Sequence, residues 1–261
     1  MPTIEANGTT LHYQWDGPEQ GAVVMLSNSL ASNLGMWEPQ IGPLTGAGFR
    51  VLRYDSRGHG QSAAPEGPYT MELLTGDAVG LMDALALDKV HFCGLSKGGM
   101  VGQMLGTQHG GRLLSLALCD TSAHMPASFG WDERIATTRE SGMAAVVDAT
   151  IDRWFTKPGQ QRLPRVVESV REMILTTPVE GFCACCAAIR DMDQRESIRG
   201  ITTPALVMVG EEDPGTTVAM AQDIQSRIGG SKLVVLPEAA HFSNMEQAGP
   251  FNEALLGFLK P

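Results

Sequence analysis

Apolar residues in this chain fall into short, nearly unbroken runs separated by longer amphipathic stretches. The runs at Ala22 to Leu26, Arg50 to Tyr54, Lys89 to Cys93, Leu114 to Cys119, Pro204 to Val209 and Lys232 to Leu236 are continuous rather than alternating. That pattern predicts strands buried on both faces of a mostly parallel sheet. Between them, Tyr69 to Leu87, Met100 to His109, Val218 to Ile228 and Glu246 to Leu259 place apolar residues at helical spacing and supply the covering layers. Ahead of the first run, Thr3 to Ala6 and Thr10 to Trp15 flank Asn7-Gly8, the turn of a β-hairpin.

This alternation lapses between residues 121 and 195. Gly130 to Met143, Met143 to Phe155, Leu163 to Leu175 and Pro178 to Ile189 predict short helices with no strand between them, split at Lys157-Pro158-Gly159 and Thr177-Pro178. The expected organisation is an α/β core in two parts, 1–120 and 196–261, with an all-helical cap, 121–195, inserted before the last two strands.

Composition narrows the partners. A length of 261 residues allows one substantial core, and a net charge of −10 without a Lys/Arg cluster argues against a nucleic-acid partner. The five cysteines are an odd number, so no disulfide framework is implied. Cys183-x-Cys185-Cys186 has no flanking histidine and reads as a buried helix face, so no metal is expected. With neither a secretory leader nor an apolar run of spanning length, the expectation is a cytoplasmic protein without a membrane partner, and Asn7-Gly8-Thr9 is a turn rather than a glycosylation acceptor. The Gly-rich turns lack a dinucleotide fingerprint, so no cofactor is expected.

Chemistry concentrates at Gly94-Leu95-Ser96-Lys97-Gly98, a G-x-S-x-G pentapeptide between a strand-like run and a helix-like stretch. A serine there sits on a sharp strand-to-helix turn with its hydroxyl exposed and a helix N-terminus beside it. Asp213, in Gly210-Glu211-Glu212-Asp213-Pro214, and His241, after Pro237-Glu238-Ala239-Ala240, follow in the order serine, acid, histidine. Ser96 is thus the candidate nucleophile, His241 its base and Asp213 the group that orients the imidazole, with Asp120 the competing acid. His12, His59, His91, His109 and His124 lie in hairpin, turn, strand, helix end and cap entrance, and fit the base role less well. The backbone N–H groups of Leu30, in Leu26-Ser27-Asn28-Ser29-Leu30, and of Lys97 are the expected oxyanion donors. The polar turn Tyr54-Asp55-Ser56-Arg57-Gly58-His59-Gly60 reads as structural, with Asp55 and Arg57 satisfying buried loop backbone.

The Ser-Asn-Ser-Leu loop, Met36-Trp37, Arg53-Tyr54-Asp55-Ser56-Arg57-Gly58-His59-Gly60, Gly67-Pro68-Tyr69-Thr70, Gly94-Leu95-Ser96 and Arg153-Trp154-Phe155 together resemble the 3-oxoadipate enol-lactonases of the α/β-hydrolase superfamily over nearly the whole length. Lys97 departs from that pattern, where an apolar residue follows the serine. The resemblance implies an α/β-hydrolase fold and hydrolysis of a small enol-lactone to 3-oxoadipate in aromatic-compound degradation. A broad carboxylesterase or perhydrolase is the alternative within hydrolysis, and a ligand receptor the alternative of another class. A carboxylate-bearing lactone must approach an acidic protein; residues 121–195 carry nine Lys/Arg against ten Asp/Glu, the least repulsive part of the chain. There Arg134, beside Trp131, is the candidate carboxylate grip, with Lys97 as runner-up and Trp154 as a further substrate-binding residue.

Overall fold

In the computed structural model, which describes residues 2–259, eight strands form one sheet. They are β1 (Thr3–Ala6), β2 (Thr9–Asp16), β3 (Val23–Ser27), β4 (Arg50–Tyr54), β5 (Val90–Leu95), β6 (Leu113–Cys119), β7 (Ala205–Gly210) and β8 (Lys232–Leu236), in the order β1-β2-β4-β3-β5-β6-β7-β8. The hairpin pairs antiparallel, β2 joins β4 antiparallel, and all other pairings are parallel. Near-continuous apolarity follows from burial: every residue of β7 and nearly all of β3, β5 and β6 are buried, because helices cover both faces. The edge strand β8 departs from this expectation, with Lys232 and Val235 exposed, because only one neighbour and less helix cover it.

Six helices belong to the core: α1 (Glu38–Gly46), α2 (Met71–Ala84), α3 (Lys97–Gln108) and, after the cap, α9 (Val218–Arg227), α10 (Ser243–Glu246) and α11 (Ala248–Leu259). The cap lies between β6 and β7 and consists of α4 (Trp131–Ser141), α5 (Ala144–Trp154), α6 (Lys157–Arg162), α7 (Pro164–Leu175) and α8 (Val179–Asp191). Lys157-Pro158-Gly159, expected as a break, instead opens α6: Thr156 caps the Gly159 amide at 3.0 Å and Pro158 occupies the first turn, where no amide is needed. The chain enters and leaves the cap at one neck, where Gln194 N donates to Ala123 O at 2.8 Å and His124 bridges Asp193. On its far side α8 meets the 55–62 turn backbone to backbone. A Cβ on Gly181 would stand 2.2 Å from Gly58 O, so only glycine permits the approach.

Sheet order reverses direction between β4-β3 and β5, and the crevice outside the carboxyl ends of strands at such a switch point is where α/β sheets bind ligands. The cap closes over that crevice. No single helix among the described residues is long and apolar enough to cross a membrane.

Candidate active site

Ser96 occupies the step from β5 to α3 with φ 56°, a left-handed conformation that a side-chain-bearing residue adopts only when its surroundings impose it. The surroundings here are glycines. A Cβ on Gly94 would lie 2.1 Å from Gly98 O, and one on Gly98 would lie 2.2 Å from Ser27 O. The turn is pinned on the other side by Ser96 N donating to Cys119 O at 2.9 Å and by Thr121 Oγ1 donating to Ser96 O at 2.8 Å. Lys97 is the first residue of α3, so its amide has no intrahelical acceptor and stands free beside the Ser96 hydroxyl. None of the described hydrogen bonds uses the Leu30 amide either.

The loop after β3 is shaped by Asn28. Its Nδ2 donates to Ser29 O and Ser32 O, both at 2.9 Å, and its Oδ1 accepts from Ser56 N at 3.0 Å. His59 holds the next residues: its Nε2 accepts from Ala31 N at 2.9 Å while Nδ1 faces Arg57 O at 3.1 Å. Burial, then the charge of Lys97, keeps this imidazole neutral by holding its pKa well below the usual range. The 55–62 turn is structural as expected, since Asp55 accepts from Leu34 N and Gln61 N and Arg57 forks onto Asp77 and caps Asn7 O.

From the ends of β7 and β8 come Asp213 and His241, joined by a 2.7 Å contact between Oδ2 and Nδ1. Asp213 is fully engaged: Gly215 N and Thr216 N donate to Oδ1 at 2.8 and 3.0 Å, and Thr216 Oγ1 donates to Oδ2 at 2.6 Å. Burial works against its charge, yet His241 and the Thr216 bonds hold its pKa below the ordinary carboxylate value. For His241, burial opposes protonation, but the charge and hydrogen bond of Asp213 outweigh it and the pKa is raised. Asp120, the competing acid, lies behind this pair and accepts from Gly210 N at 2.8 Å and Ser243 Oγ at 2.5 Å. Burial first, and then Asp213, pushes its pKa up to about 8. At neutral pH the negative charge therefore resides on Asp213, and Asp120 has no hydrogen bond to His241.

Ser96, His241 and Asp213 line one cavity, with Leu30, Trp131, Arg134 and Trp154 in its walls. Trp154 stacks on Phe242 with ring centroids 4.0 Å apart and lies 6.2 Å from the His241 ring, and its carbonyl accepts Phe242 N at 3.0 Å. The cap residue most directly tied to the histidine loop is thus Trp154. Lys97, the runner-up for carboxylate binding, is a correction: its side chain is fully buried away from the cavity and its Nζ donates to Ser56 Oγ. A side chain at the start of α3 points back into the protein body. Sequence reasoning missed Arg153, which lines the cavity beside Arg134. Both guanidinium groups donate to Thr150 Oγ1, at 2.9 Å from Arg134 and 3.3 Å from Arg153, and neither has a carboxylate partner among the described residues. Burial first, and Arg153 next, lowers the Arg134 pKa to about 10, which still leaves it cationic at neutral pH.

Cap and His241 loop are tied together by Glu246, a buried residue. Its Oε1 accepts from Thr156 N at 3.0 Å and Thr156 Oγ1 at 2.6 Å, while Oε2 accepts from Ala240 N at 2.8 Å. Three donors converge on one carboxyl group, so Glu246→Gln must turn an NH2 toward an N–H. The expected result is a loss of about 2 kcal/mol of stability, read as a lower thermal midpoint, with reduced kcat because the residue preceding His241 loses its anchor. An unchanged midpoint would show that the clamp is dispensable.

Comparison with known proteins places this geometry in context. Residues 22–248 match the family model of the alpha/beta hydrolase fold. The chain is 36% identical over 258 residues to 3-oxoadipate enol-lactonase 2 of Acinetobacter baylyi, covering 99% of this chain and 96% of that protein. It is 32% identical to a putative carbamate hydrolase, RutD, of Variovorax paradoxus, over 95% of this chain and 96% of that protein. Among solved structures, the enol-lactonase from Burkholderia xenovorans LB400 superposes with a TM-score of 0.96 at 43% identity, covering 99% of each chain. Fold, strand-to-helix serine turn and near full-length identity agree, and the chain is a hydrolase that belongs to the 3-oxoadipate enol-lactonase family within the α/β-hydrolase superfamily.

Proposed function

We propose that the protein hydrolyses 3-oxoadipate enol-lactone to 3-oxoadipate in the breakdown of aromatic compounds, through a Ser96–His241–Asp213 triad and an acyl-enzyme. The observation that carries this reading is a single cavity that holds an Asp-paired imidazole, a serine on a strained turn and cap guanidinium groups with no carboxylate partner among the described residues. His241, neutral at Nε2, takes the Ser96 proton as Oγ attacks the lactone carbonyl. The Leu30 and Lys97 amides receive the oxyanion. Collapse breaks the ring C–O bond and expels an enolate stabilised by conjugation, which takes the proton back from the His241 imidazolium and, as the resulting enol, becomes the ketone, leaving His241 neutral again. Water, losing its proton to His241, then opens the acyl-enzyme. Trp131 and Trp154 wall the site, and Arg134 grips the carboxylate that the lactone carries, a charge-assisted contact suited to a guanidinium fork.

The test is turnover of freshly generated enol-lactone beside an aryl acetate and a simple carbamate. A kcat/KM for the lactone at least about a hundred-fold above the others is expected, since only the lactone uses Arg134. Equal or better turnover of the ester or carbamate overturns the assignment, and the carbamate outcome would follow the kinship to RutD-type proteins. Because the Asp213 charge and bond raise the His241 pKa against burial, the base form is lost at higher pH than for a free imidazole. The acid limb of kcat/KM is therefore expected above pH ~6.5; a limb well below that value contradicts the pairing.

A further inference from the structure

Hydrolysis changes the charge of what the cavity holds. The lactone enters with one carboxylate, and its opening creates a second one on the carbon attacked by Ser96. In that last step water adds to the acyl carbon and gives its proton to His241. The bond to Ser96 Oγ then breaks, Oγ recovers the proton from His241, and the new carboxylic acid releases its own proton to solvent.

Two cations, not one, line the cavity. Arg134 projects from α4 and Arg153 from the last turn of α5, and the Thr150 hydroxyl, one turn before Arg153, accepts from both and so fixes their separation. Thr150 cannot compensate either charge. It is a neutral hydroxyl that spends its own proton on Val146 O at 2.7 Å. Two half-buried guanidinium groups repel each other, and a buried charge without a counter-ion is costly, so the pair is incomplete without an anion. Their positions differ. Arg153 lines the cavity with His241, and its charge, unlike that of Arg134, is among those His241 feels, which puts Arg153 at the His241 end of the cavity. Arg134 stands against Trp131 and Phe182, deeper in the cap.

We propose that the two arginines divide the two carboxylates of the ring-opened product, Arg134 keeping the one the substrate brought and Arg153 receiving the one formed beside Ser96. The site is then a dicarboxylate site, and it holds its dianionic product more tightly than its monoanionic substrate. This inference rests on the reading of the cavity as the seat of lactone opening. Arg153 stabilises the product carboxylate and the charge developing on the way to it, and dicarboxylates of similar length act as competitive inhibitors.

The experiment is calorimetric titration of the full-length protein with adipate and with hexanoate, six-carbon chains bearing two carboxylates and one. Wild type is expected to bind adipate about ten-fold more tightly than hexanoate. Arg153→Met removes most of that preference and leaves hexanoate affinity within about two-fold, whereas Arg134→Met weakens both ligands. Arg153→Lys keeps a cation in place and recovers part of the adipate preference. Equal binding of the two ligands by wild type, or equal weakening of both by Arg153→Met, overturns the proposal, the latter because both guanidinium groups would then share one carboxylate. Lactone turnover is measured separately. A protein that selects adipate through Arg153 but leaves the lactone untouched would keep the dicarboxylate site and lose the assigned reaction, and the reverse pattern would do the opposite.

Discussion

Ser96→Ala is expected to lower kcat on the enol-lactone by about four to six orders of magnitude while leaving the fold and ligand affinity intact. The backbone makes this an unusually clean substitution. Ser96 sits at φ 56° because Gly94 and Gly98 let β5, α3 and the β3 loop close around it, and an alanine carries the same Cβ and the same strain. Nothing else is lost from the structure, since none of the described hydrogen bonds uses the Ser96 hydroxyl and the residue's own bonds run through its backbone to Cys119, Met100 and Thr121. Adipate affinity should change less than about two-fold, because the guanidinium groups and the Leu30 and Lys97 amides remain. Mass spectrometry of quenched reactions should show an acyl adduct on the wild type and none on the variant. A variant retaining kcat within a few-fold would mean that water attacks the lactone directly, and the covalent route would be wrong.

The core and the nucleophile turn were readable in the sequence for one physical reason: both are dictated by local constraints. Strands buried on two faces must be apolar throughout, and a chain that doubles back between β5 and α3 must place glycine at 94 and 98. The elements missed were those whose signals are ambiguous locally. Glu38–Gly46 contains two prolines and two glycines and resembles a loop, yet Pro39 lies in the first turn, where its missing N–H costs nothing, and Leu44 and Gln40 are buried against the core. Site residues supplied by long-range pairing were invisible for a different reason. Whether Arg153 is a solvated charge or an unpaired cavity cation depends on which carboxylates reach it, and none does among the described residues. Glu246 looks like the start of a helix, while its partner Thr156 lies ninety positions away in sequence. Lys97 shows the converse failure: the chemistry of a lysine was legible, but the rotation of α3 sends its side chain to Ser56, away from the cavity.

Asp213→Asn carries the second large effect, an expected fall in kcat of about three to four orders of magnitude, with little change in stability. The reason lies in proton placement rather than in lost contacts. Asp213 accepts four hydrogen bonds, and in the proposed mechanism the bond from His241 Nδ1–H keeps Nε2 free to take the serine proton. An asparagine satisfies the Gly215 and Thr216 amides with its oxygen but presents an NH2 to the imidazole and to the Thr216 hydroxyl, which must rotate. His241 then turns its lone pair toward position 213, Nε2 carries the proton, and the base is disarmed. The charge is lost as well, so the His241 pKa falls and the residual activity should show its acid limb at lower pH than wild type. Asp120 supplies the internal control. It lies within the electrostatic reach of His241, but among the described residues its carboxyl group bonds Gly210 and Ser243, and with a pKa pushed up to about 8 by burial it is mostly protonated at pH 7. Asp120→Asn therefore mimics the state already present and should keep kcat within a few-fold at neutral pH. If the two variants exchange these phenotypes, the acid acts from β6 rather than from β7. The Asp213–His241 contact would then be structural, and the triad would have to be redrawn around Asp120.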